Sequence, residues 1–465
     1  MGRSGTRLGV TMIKRVAAHL VAFFFVYSVQ FIGSPGGLGT RVWLGIIGSL
    51  LLAYQALIHL RRKKLDPHFQ RTGLLLLSLA LLSLATVTFN STSDLAFIIY
   101  APSMLVVASA AFTVSQVVRR AYPANPGIAA KNIFATIVMV QLSIALLMFA
   151  SPDIGRMLNG LQITNDLDAN LLLETGQFRL SGFGSRFFAA GIANCYALIL
   201  IASLIRSARL SRMRVLYLAA AFMFIASFGM MMSRTTVIGA TLATAFLVLP
   251  ISKKNPSHHR FRHQRGIFWL SIVVVPMALV VPVLVFAPKF VAEIEPALQF
   301  GFELFVNYSE RGQLESKSTS QLLDMYANDF NLPMVIGDGH YVDPQDPEEY
   351  YKSVDIGYIR LIYYFGIPGL IIYFLFQYQS IQMSAAHLGR TESRKFLAVC
   401  MMLVLILSFK GFTDIFVFSI YVYSCALGRE AFFRIARSPA RSRLPFPIDR
   451  AGLIGANPQN TGPIT

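Results

Sequence analysis

Charged side chains are scarce in this chain, and their scarcity excludes a soluble globular domain. Of the 465 residues, 14% are charged and 55% are hydrophobic, and the mean hydropathy is +0.56. The apolar residues come in runs close to the roughly 20 helical residues that cross a ~30 Å hydrocarbon layer. Such runs form helices in lipid, because the backbone must satisfy its own hydrogen bonds there. The sequence therefore predicts an all-α, polytopic integral membrane protein.

Cysteine is equally rare, which excludes a disulfide framework. Cys195, Cys400 and Cys425 are the three cysteines, and all fall inside apolar segments. No Cys/His spacing indicates zinc, and the chain has no P-loop and no GxGxxG motif. We therefore expect no metal and no cofactor, and chemistry driven by nucleotides is disfavoured.

The apolar runs and the basic residues between them predict the topology. Basic residues cluster in connections at one face, as at 61–64, 206–214 and 253–265, which places that face and both termini in the cytoplasm. This pattern accounts for the net charge of +18, so no nucleic acid partner is expected.

One transmembrane domain covers residues 1–436, and residues 437–465 are predicted to form a disordered basic tail. About twelve spans are predicted, at roughly 16–33, 41–60, 73–89, 95–118, 131–150, 187–206, 213–232, 235–251, 267–287, 356–378, 396–409 and 413–428.

Two long connections lie on the predicted outer face, at about 151–186 and 288–355. The second, called the acidic loop here, has 13 of the 23 acidic and 4 of the 41 basic residues, a formal charge of −9 against +27 elsewhere. The spacing of its apolar residues predicts an amphipathic surface helix over 311–329. A flexible Gly337-Asp338-Gly339 turn is expected after that helix. This concentration of polar residues predicts a substrate at the outer face.

Several basic residues at outer span ends or in the two long connections are candidates for binding phosphate. Guanidinium groups suit bidentate phosphate binding, and several of them around one pocket would stabilise a departing pyrophosphate. The alternative is that each side chain extends to the interface and anchors its helix. That alternative is less favoured for Arg234 and Arg360, because a charge at or inside an apolar boundary needs a partner or a cavity. The candidates are Arg179, Arg186, Arg234, Arg311, Arg360 and Lys410.

Candidate general bases also lie on the predicted outer face. A base must reach the hydroxyl group that attacks, and a raised pKa helps it hold a proton near neutral pH. The candidates are Asp355, Asp338, Glu310, Asp414 and His340. Structural roles are the alternatives, since Asp338 suits a turn between glycines and Asp355 suits the N-cap of the next helix. Nearby tyrosines suit either a sugar-stacking surface or an interfacial aromatic belt; they are Tyr341, Tyr350, Tyr351, Tyr358, Tyr363 and Tyr364.

Three outer stretches carry motifs in a specific combination: SRTTVIG from Ser233, SERGQLESKSTSQLLDMYANDFNLPMVIGDGHY from Ser309, and SVDIGYIRLIYYFGIPGLIIYF from Ser353. In these stretches the chain resembles the bacterial O-antigen polymerase (Wzy-type) and O-antigen ligase superfamily, over roughly residues 175–425. The resemblance implies a GT-C-like membrane glycosyltransferase that uses undecaprenyl-pyrophosphate-linked glycans and no nucleotide sugar. By local context, the family's phosphate-binding arginines would correspond to Arg186 (or Arg179), Arg234 and Arg311.

Within that resemblance, a polymerase is the leading interpretation. It would join lipid-linked repeat units into O-antigen, capsular or exopolysaccharide at the periplasmic face of the inner membrane. Its partners would be the lipid-linked donor and acceptor glycans, membrane lipid and a chain-length regulator. The ligase's histidine-asparagine motif is absent, since GHYVDP from Gly339 has no asparagine. The alternatives are a ligase that transfers glycan to lipid A-core and a flippase, although transporters are often built from repeated halves and the halves of this chain differ.

Overall fold

A computed structural model describes residues 2–59, 63–163, 179–184, 187–207, 210–250, 264–270, 272, 288–312, 320, 323, 325–326, 332–346 and 349–435. Within these residues the regular secondary structure is almost entirely helical. The exception is an antiparallel pair of short strands, β1 (Lys63–Leu65) and β2 (Phe433–Ile435), in which Lys64 lies opposite Arg434. The predicted all-α, polytopic membrane protein is confirmed, because many of the helices are long and apolar.

The helices follow one another with short connections over most of the chain. Residues 264–270 are helical in addition to the labelled elements. The labelled helices are α1 (Gly2–Tyr27), α2 (Thr40–His59), α3 (Pro67–Asn90), α4 (Ala96–Ala121), α5 (Pro126–Ala150), α6 (Pro152–Asn159), α7 (Phe187–Ser207), α8 (Arg212–Met232), α9 (Thr236–Val248), α10 (Pro288–Arg311), α11 (Gly357–Ala385), α12 (Arg390–Ser408) and α13 (Phe416–Leu427).

Among the described residues, eight helices are long and apolar enough to cross a membrane: α1 to α5, α7, α8 and α11. Each coincides with one of the twelve predicted spans. The predicted spans 235–251 and 413–428 correspond to the shorter apolar helices α9 and α13. These have 13 and 12 residues. At a rise of 1.5 Å per residue, each covers only about two-thirds of a ~30 Å hydrocarbon core.

The other two predicted spans are not among these helices for separate reasons. Span 396–409 is the second part of α12, whose first turns are charged through Arg390, Glu392, Arg394 and Lys395. The charged turns lengthen the helix without lengthening its apolar run. Of span 267–287, the structure describes only residues 267–270 and 272, which are helical.

Helix α7 forms the centre of the bundle. It is the most deeply buried of the candidate spans, and it packs against α5, α8, α9 and α12. Small side chains allow this close packing, since an added Cβ at Gly239 of α9 would lie 2.6 Å from the Cβ of Cys195 of α7. The Phe187 end of α7 and the Met232 end of α8 therefore lie in the interior of the bundle rather than at its lipid-facing edge.

Helix α11 is interrupted at Gly366, and the acidic loop fills the interruption. Gly366 has φ 74 and ψ −173, so the backbone groups around it lose their helical partners. The loop supplies new ones. The Ile367 N–H donates to the Met334 oxygen at 2.9 Å, and the Asp338 N–H donates to the Tyr363 oxygen at 2.5 Å. The Gly337-Asp338-Gly339 turn, predicted to be flexible, is thus hydrogen-bonded to a broken membrane helix.

The acidic loop also begins with a helix that the sequence pattern did not predict. Residues 288–311 form α10, which packs against α8. Arg311, predicted to begin a surface helix, is instead the last residue of α10. Of the predicted helix over 311–329, the structure describes 311–312 and the helical residues 320, 323 and 325–326. The predicted tail at 437–465 lies outside the described residues.

Gly366→Ala is expected to destabilise the protein. The backbone conformation at Gly366 is almost confined to glycine, and an added Cβ would lie 2.7 Å from the Val335 carbonyl oxygen. Strain of this kind costs about 1–3 kcal/mol. The melting temperature of the detergent-solubilised protein, followed by tryptophan fluorescence, should fall clearly below that of the wild type.

Gly73→Ala is the matched control. Gly73 lies inside α3, and no atom comes within 4 Å of an added Cβ. Alanine in a helix interior is more stable than glycine by roughly 0.5–1 kcal/mol, so this variant should melt at the wild-type temperature or above it. Equal melting temperatures for the two variants would contradict the interpretation of Gly366.

Candidate functional site

Arg179 and Arg234 converge on one phenylalanine ring. Their guanidinium carbons lie 5.4 and 4.1 Å from the ring centre of Phe300 in α10. Each Nε is held by a backbone carbonyl: that of Arg179 donates to the Met232 oxygen at 2.7 Å, and that of Arg234 donates to the Phe300 oxygen at 2.9 Å. Burial, together with the nearby Arg234 charge, lowers the pKa of Arg179 to about 10. Two arginines that are far apart in sequence therefore form one cationic centre.

The position of Arg234 follows from a tight turn between α8 and α9. Ser233 and Thr235 flank the arginine and are buried, and their hydroxyl oxygens lie 2.7 Å apart. Because both flanking side chains turn inward, the Arg234 side chain points toward α10. There it forms an ion pair with Glu303. Glu303 was not a candidate from the sequence, since the helix that carries it was predicted to be loop.

Helix α10 reaches this position because of a glycine. An added Cβ at Gly301 would lie 3.0 Å from the Met231 nitrogen at the end of α8. The two backbones are therefore nearly in contact, which puts Phe300 and Glu303 beside Arg234. A larger residue than glycine at position 301 would push α10 away from the two arginines.

Lys410 adds a third positive charge to the same centre. It lies in the turn after α12, and its side chain has no hydrogen-bond partner within the described part of the chain. Burial, Arg179 and Arg234 lower its pKa to about 8, and Asp355 opposes that shift. The charge of Lys410 is thus coupled to those of the two arginines and of Asp355. We call Arg179, Arg234 and Lys410 the cation cluster.

Asp355 borders the cation cluster on the side of α11. Its carboxylate lies 3.4 Å from a terminal nitrogen of Arg360, and its side chain is 53% exposed. Removal of water from around the carboxylate raises its pKa, and the positive charges of Arg360 and Lys410 oppose this shift. The alternative role as a helix cap is wrong, because the N-cap residue of α11 is Ile356. Asp355 is therefore available to a substrate on its open side.

Two glycines bring Asp355 and Lys410 together. Gly357, the first residue of α11, packs on the turn after α12, where an added Cβ would lie 2.9 Å from the Ser408 oxygen. In the same turn, an added Cβ at Gly411 would lie 3.1 Å from the ring of Phe188 at the start of α7. The starts of α7 and α11 are thus joined through the turn that contains Lys410.

Arg360 is enclosed by two tyrosines. Its guanidinium carbon lies 4.1 Å from the ring centre of Tyr341 and 3.4 Å from that of Tyr350. The side chain is only 4% exposed, so it does not extend to the interface as an anchoring arginine would. Among the described residues its Nε has no hydrogen-bond partner. This buried donor, beside Asp355, is suited to an oxygen atom of a ligand.

Asp338 and His340 belong to a second, neighbouring cluster. The Asp338 carboxylate accepts from Lys352 at 3.1 Å and from the Tyr351 hydroxyl at 3.3 Å. The His340 ring lies 5.1 Å from that of Tyr351. Asp338 is therefore paired through its side chain rather than serving only as a turn residue. The two clusters adjoin, because the Tyr351 N–H donates to the Tyr341 oxygen at 3.4 Å.

Residues from the connection between α3 and α4 hold this part of the acidic loop. The Asp94 carboxylate accepts from the backbone N–H groups of Tyr341 at 2.6 Å and Val342 at 3.3 Å. Asn90 and Thr92 donate to the carbonyl oxygens of Gly337 and Gly339 at 2.7 and 3.1 Å. The sequence offered no signal for this role, because the partners are about 250 residues away.

Of the remaining candidates from the sequence, two have other surroundings and two are not described at the side chain. Glu310 is exposed near the end of α10. Asp414 is a structural acceptor: its carboxylate accepts from the Tyr100 hydroxyl, from Gln377 and from the Phe416 N–H at the start of α13. Arg186 lies outside the described residues. The backbone of Arg311 is described as the end of α10, but its side chain is not.

Comparisons of the chain with family models, with curated proteins and with solved structures find no match. Among the described residues, no three His, Cys, Asp or Glu side chains come together as a metal site requires. Three cations next to a carboxylate and a buried arginine can bind a polyanion and place it beside a proton acceptor.

We expect anion binding by the cation cluster to weaken as the pH rises through about 8. The Lys410 side chain is charged below its pKa of about 8 and neutral above it. A suitable probe is a soluble diphosphate diester, whose two charges do not change over this range. Loss of one of the three positive charges should lower the affinity of the protein for the diester at least about tenfold. Isothermal titration between about pH 6.5 and pH 9, below the pKa of about 10 of Arg179, measures this.

Lys410→Arg is the matched variant for this experiment. An arginine keeps the positive charge throughout the range, since its usual pKa is above 12. The variant should bind the diester with an affinity that is nearly independent of pH. The assignment would be wrong if the wild type bound equally well at both ends of the range, or if Lys410→Arg lost affinity to the same degree.

Proposed function

We propose that this protein is a GT-C-like glycosyltransferase that polymerises undecaprenyl-pyrophosphate-linked repeat units at the periplasmic face of the bacterial inner membrane. One observation carries the proposal: Arg179 and Arg234 meet at the Phe300 ring, and Lys410, in a turn packed against the start of α11, is electrostatically coupled to both and to Asp355. Three cations suit the pyrophosphate of the donor, and the open carboxylate suits the hydroxyl of the acceptor. The resemblance of the outer motifs to O-antigen polymerases supports the same interpretation.

In the proposed reaction the acceptor hydroxyl attacks the anomeric carbon of the donor's first sugar. The bond from that carbon to the phosphate oxygen breaks as the new glycosidic bond forms, which inverts the anomeric centre. The electron pair leaves with undecaprenyl pyrophosphate, whose growing charge the cation cluster stabilises. The proton of the hydroxyl passes to Asp355. The bonds, electrons and proton of this step are accounted for without a nucleotide, a metal ion or a redox partner.

Arg360 has a positioning role in this proposal. It is buried between Tyr341 and Tyr350 and points a terminal nitrogen at Asp355. The positive charge favours the ionised carboxylate, which is the form that accepts a proton. The Arg360 Nε, which has no partner in the described part of the chain, would donate to an oxygen of the acceptor sugar or of the leaving phosphate.

One structural feature favours a second candidate, a flippase for lipid-linked glycans. Discontinuous membrane helices are typical of transporters, and α11 is broken at Gly366. In vesicles, a flippase would move a fluorescent lipid-linked repeat unit to the other leaflet without lengthening it. A polymerase would yield a ladder of longer products. An O-antigen ligase would transfer the glycan only when lipid A-core is supplied.

Removing either arginine of the cation cluster should abolish most polymerisation. With purified protein and a synthetic lipid-linked repeat unit, Arg179→Gln and Arg234→Gln should each slow ladder formation by roughly a hundredfold to a thousandfold, because a donor aimed at the leaving charge is lost. Arg156→Gln is the control. Arg156 makes an exposed pair with Asp153 at 2.6 Å in α6, and its side chain is 82% exposed. Wild-type rates in the first two variants, with normal melting temperatures, would refute the mechanism.

Asp355→Asn should slow chain elongation by about a hundredfold to ten-thousandfold, the usual contribution of a general base. Because the protein raises the pKa of Asp355, the wild-type rate should fall on acidification at a higher pH than an ordinary carboxyl group would give. Glu310→Gln, which changes an exposed carboxylate of α10, should leave the rate unchanged. If Asp338→Asn lost the activity and Asp355→Asn kept it, the base would be in the second cluster.

A further inference from the structure

An apolar groove runs along the surface between α1 and α5. Its volume is about 600 Å³, within the range of pockets that bind small ligands. Val16, Leu20 and Phe23 of α1 line one side, and Val140 and Ile144 of α5 line the other. Several of these side chains are exposed. The groove therefore offers an apolar ligand a channel that opens toward lipid.

The groove matches one leaflet of a membrane in length. Along α1 its lining runs from Met12 to Phe24, which is about 18 Å at 1.5 Å per residue. Half of a ~30 Å hydrocarbon core is roughly 15 Å. Leu158 and Phe183 also line the groove. An extended hydrocarbon chain of one leaflet thus fits within its length.

At Arg15 and His19 the groove adjoins a second, more polar space of about 410 Å³, called the polar cavity here. Arg15 and His19 line both spaces, and Arg214, Tyr217 and Asn132 line the polar one. A hydrogen bond of 2.8 Å between Tyr217 and Thr136 joins the two linings. A single ligand can therefore occupy the groove and the cavity at the same time.

The polar cavity is positively charged. Within the described part of the chain, neither Arg15 nor Arg214 has an acidic partner, and no Asp or Glu lines the cavity. The Arg15 guanidinium lies 5.5 Å from the ring centre of Tyr122, which holds it at the mouth. The predicted topology places this end at the cytoplasmic face, where membranes expose anionic headgroups.

We propose that the α1–α5 groove binds one anionic phospholipid. Its phosphate lies between Arg15 and Arg214, and one acyl chain lies along α1 and α5. Guanidinium groups pair with phosphate, and the apolar lining matches the chain. A partner's membrane helix would fill the apolar part and provide nothing for the two cations. The site is independent of the proposed glycosyltransferase activity.

The test is lipid retention by the purified full-length protein. The protein is exchanged into detergent with an equimolar mixture of phosphatidylglycerol and phosphatidylcholine, and bound lipid is counted by native mass spectrometry. We expect one phosphatidylglycerol per chain, retained at least about tenfold over phosphatidylcholine. In Arg15→Gln/Arg214→Gln that preference should disappear. In Val140→Trp, whose indole fills the groove, both lipids should be lost although the cations remain.

Arg71→Gln/Arg390→Gln is the matched control, because both arginines are exposed at the same predicted face of the bundle and away from the groove. This variant should retain phosphatidylglycerol as the wild type does. The proposal is overturned if Arg15→Gln/Arg214→Gln retains phosphatidylglycerol with wild-type preference, or if the control loses the lipid equally. Equal binding of the two lipids by the wild type would also overturn it.

Discussion

Repulsion among like charges is the constraint on which the candidate site depends. Two unit charges 4 Å apart repel by about 1 kcal/mol in water and about 4 kcal/mol at the effective dielectric near a protein surface. Arg179, Arg234 and Lys410 are held together in spite of this because each arginine donates to a backbone carbonyl and lies on the Phe300 ring. Glu303 offsets part of the charge. The remaining positive potential is what attracts an anion.

In the described part of the chain, three carboxylates of the acidic loop pair with cations. Glu303 pairs with Arg234, Asp338 pairs with Lys352, and Asp355 pairs with Arg360. Glu303 and Asp355 thereby stabilise nearly buried arginines whose charge would be costly without a partner, whereas Lys352 is partly exposed. The partners are not equivalent, since Asp355 is the one that also faces Lys410 and an open space.

A broken helix gives the loop its rigidity. Because Gly366 interrupts α11, Tyr363 and Ile367 have backbone groups free for the loop, and Met334 and Asp338 use them. Asn90, Thr92 and Asp94 hold the next residues from the other side. In a hydrocarbon environment these exchanges are obligatory, since no water is present to satisfy the freed groups. The position of Tyr341 over Arg360 follows from this network.

Composition and hydropathy alone determined that this is a helical, multi-pass membrane protein, because only helices satisfy the backbone over long apolar runs. They also singled out Arg179, Arg234, Arg360, Lys410 and Asp355 as residues with unusual positions. Only the tertiary structure decided which of these meet, that Asp414 instead accepts hydrogen bonds within the bundle, and that Glu303 and Asp94 take part. These contacts join residues far apart in sequence through helix ends and close glycine packing. Hydropathy reports on length and polarity along the chain, and it contains no information on which helix ends lie next to each other.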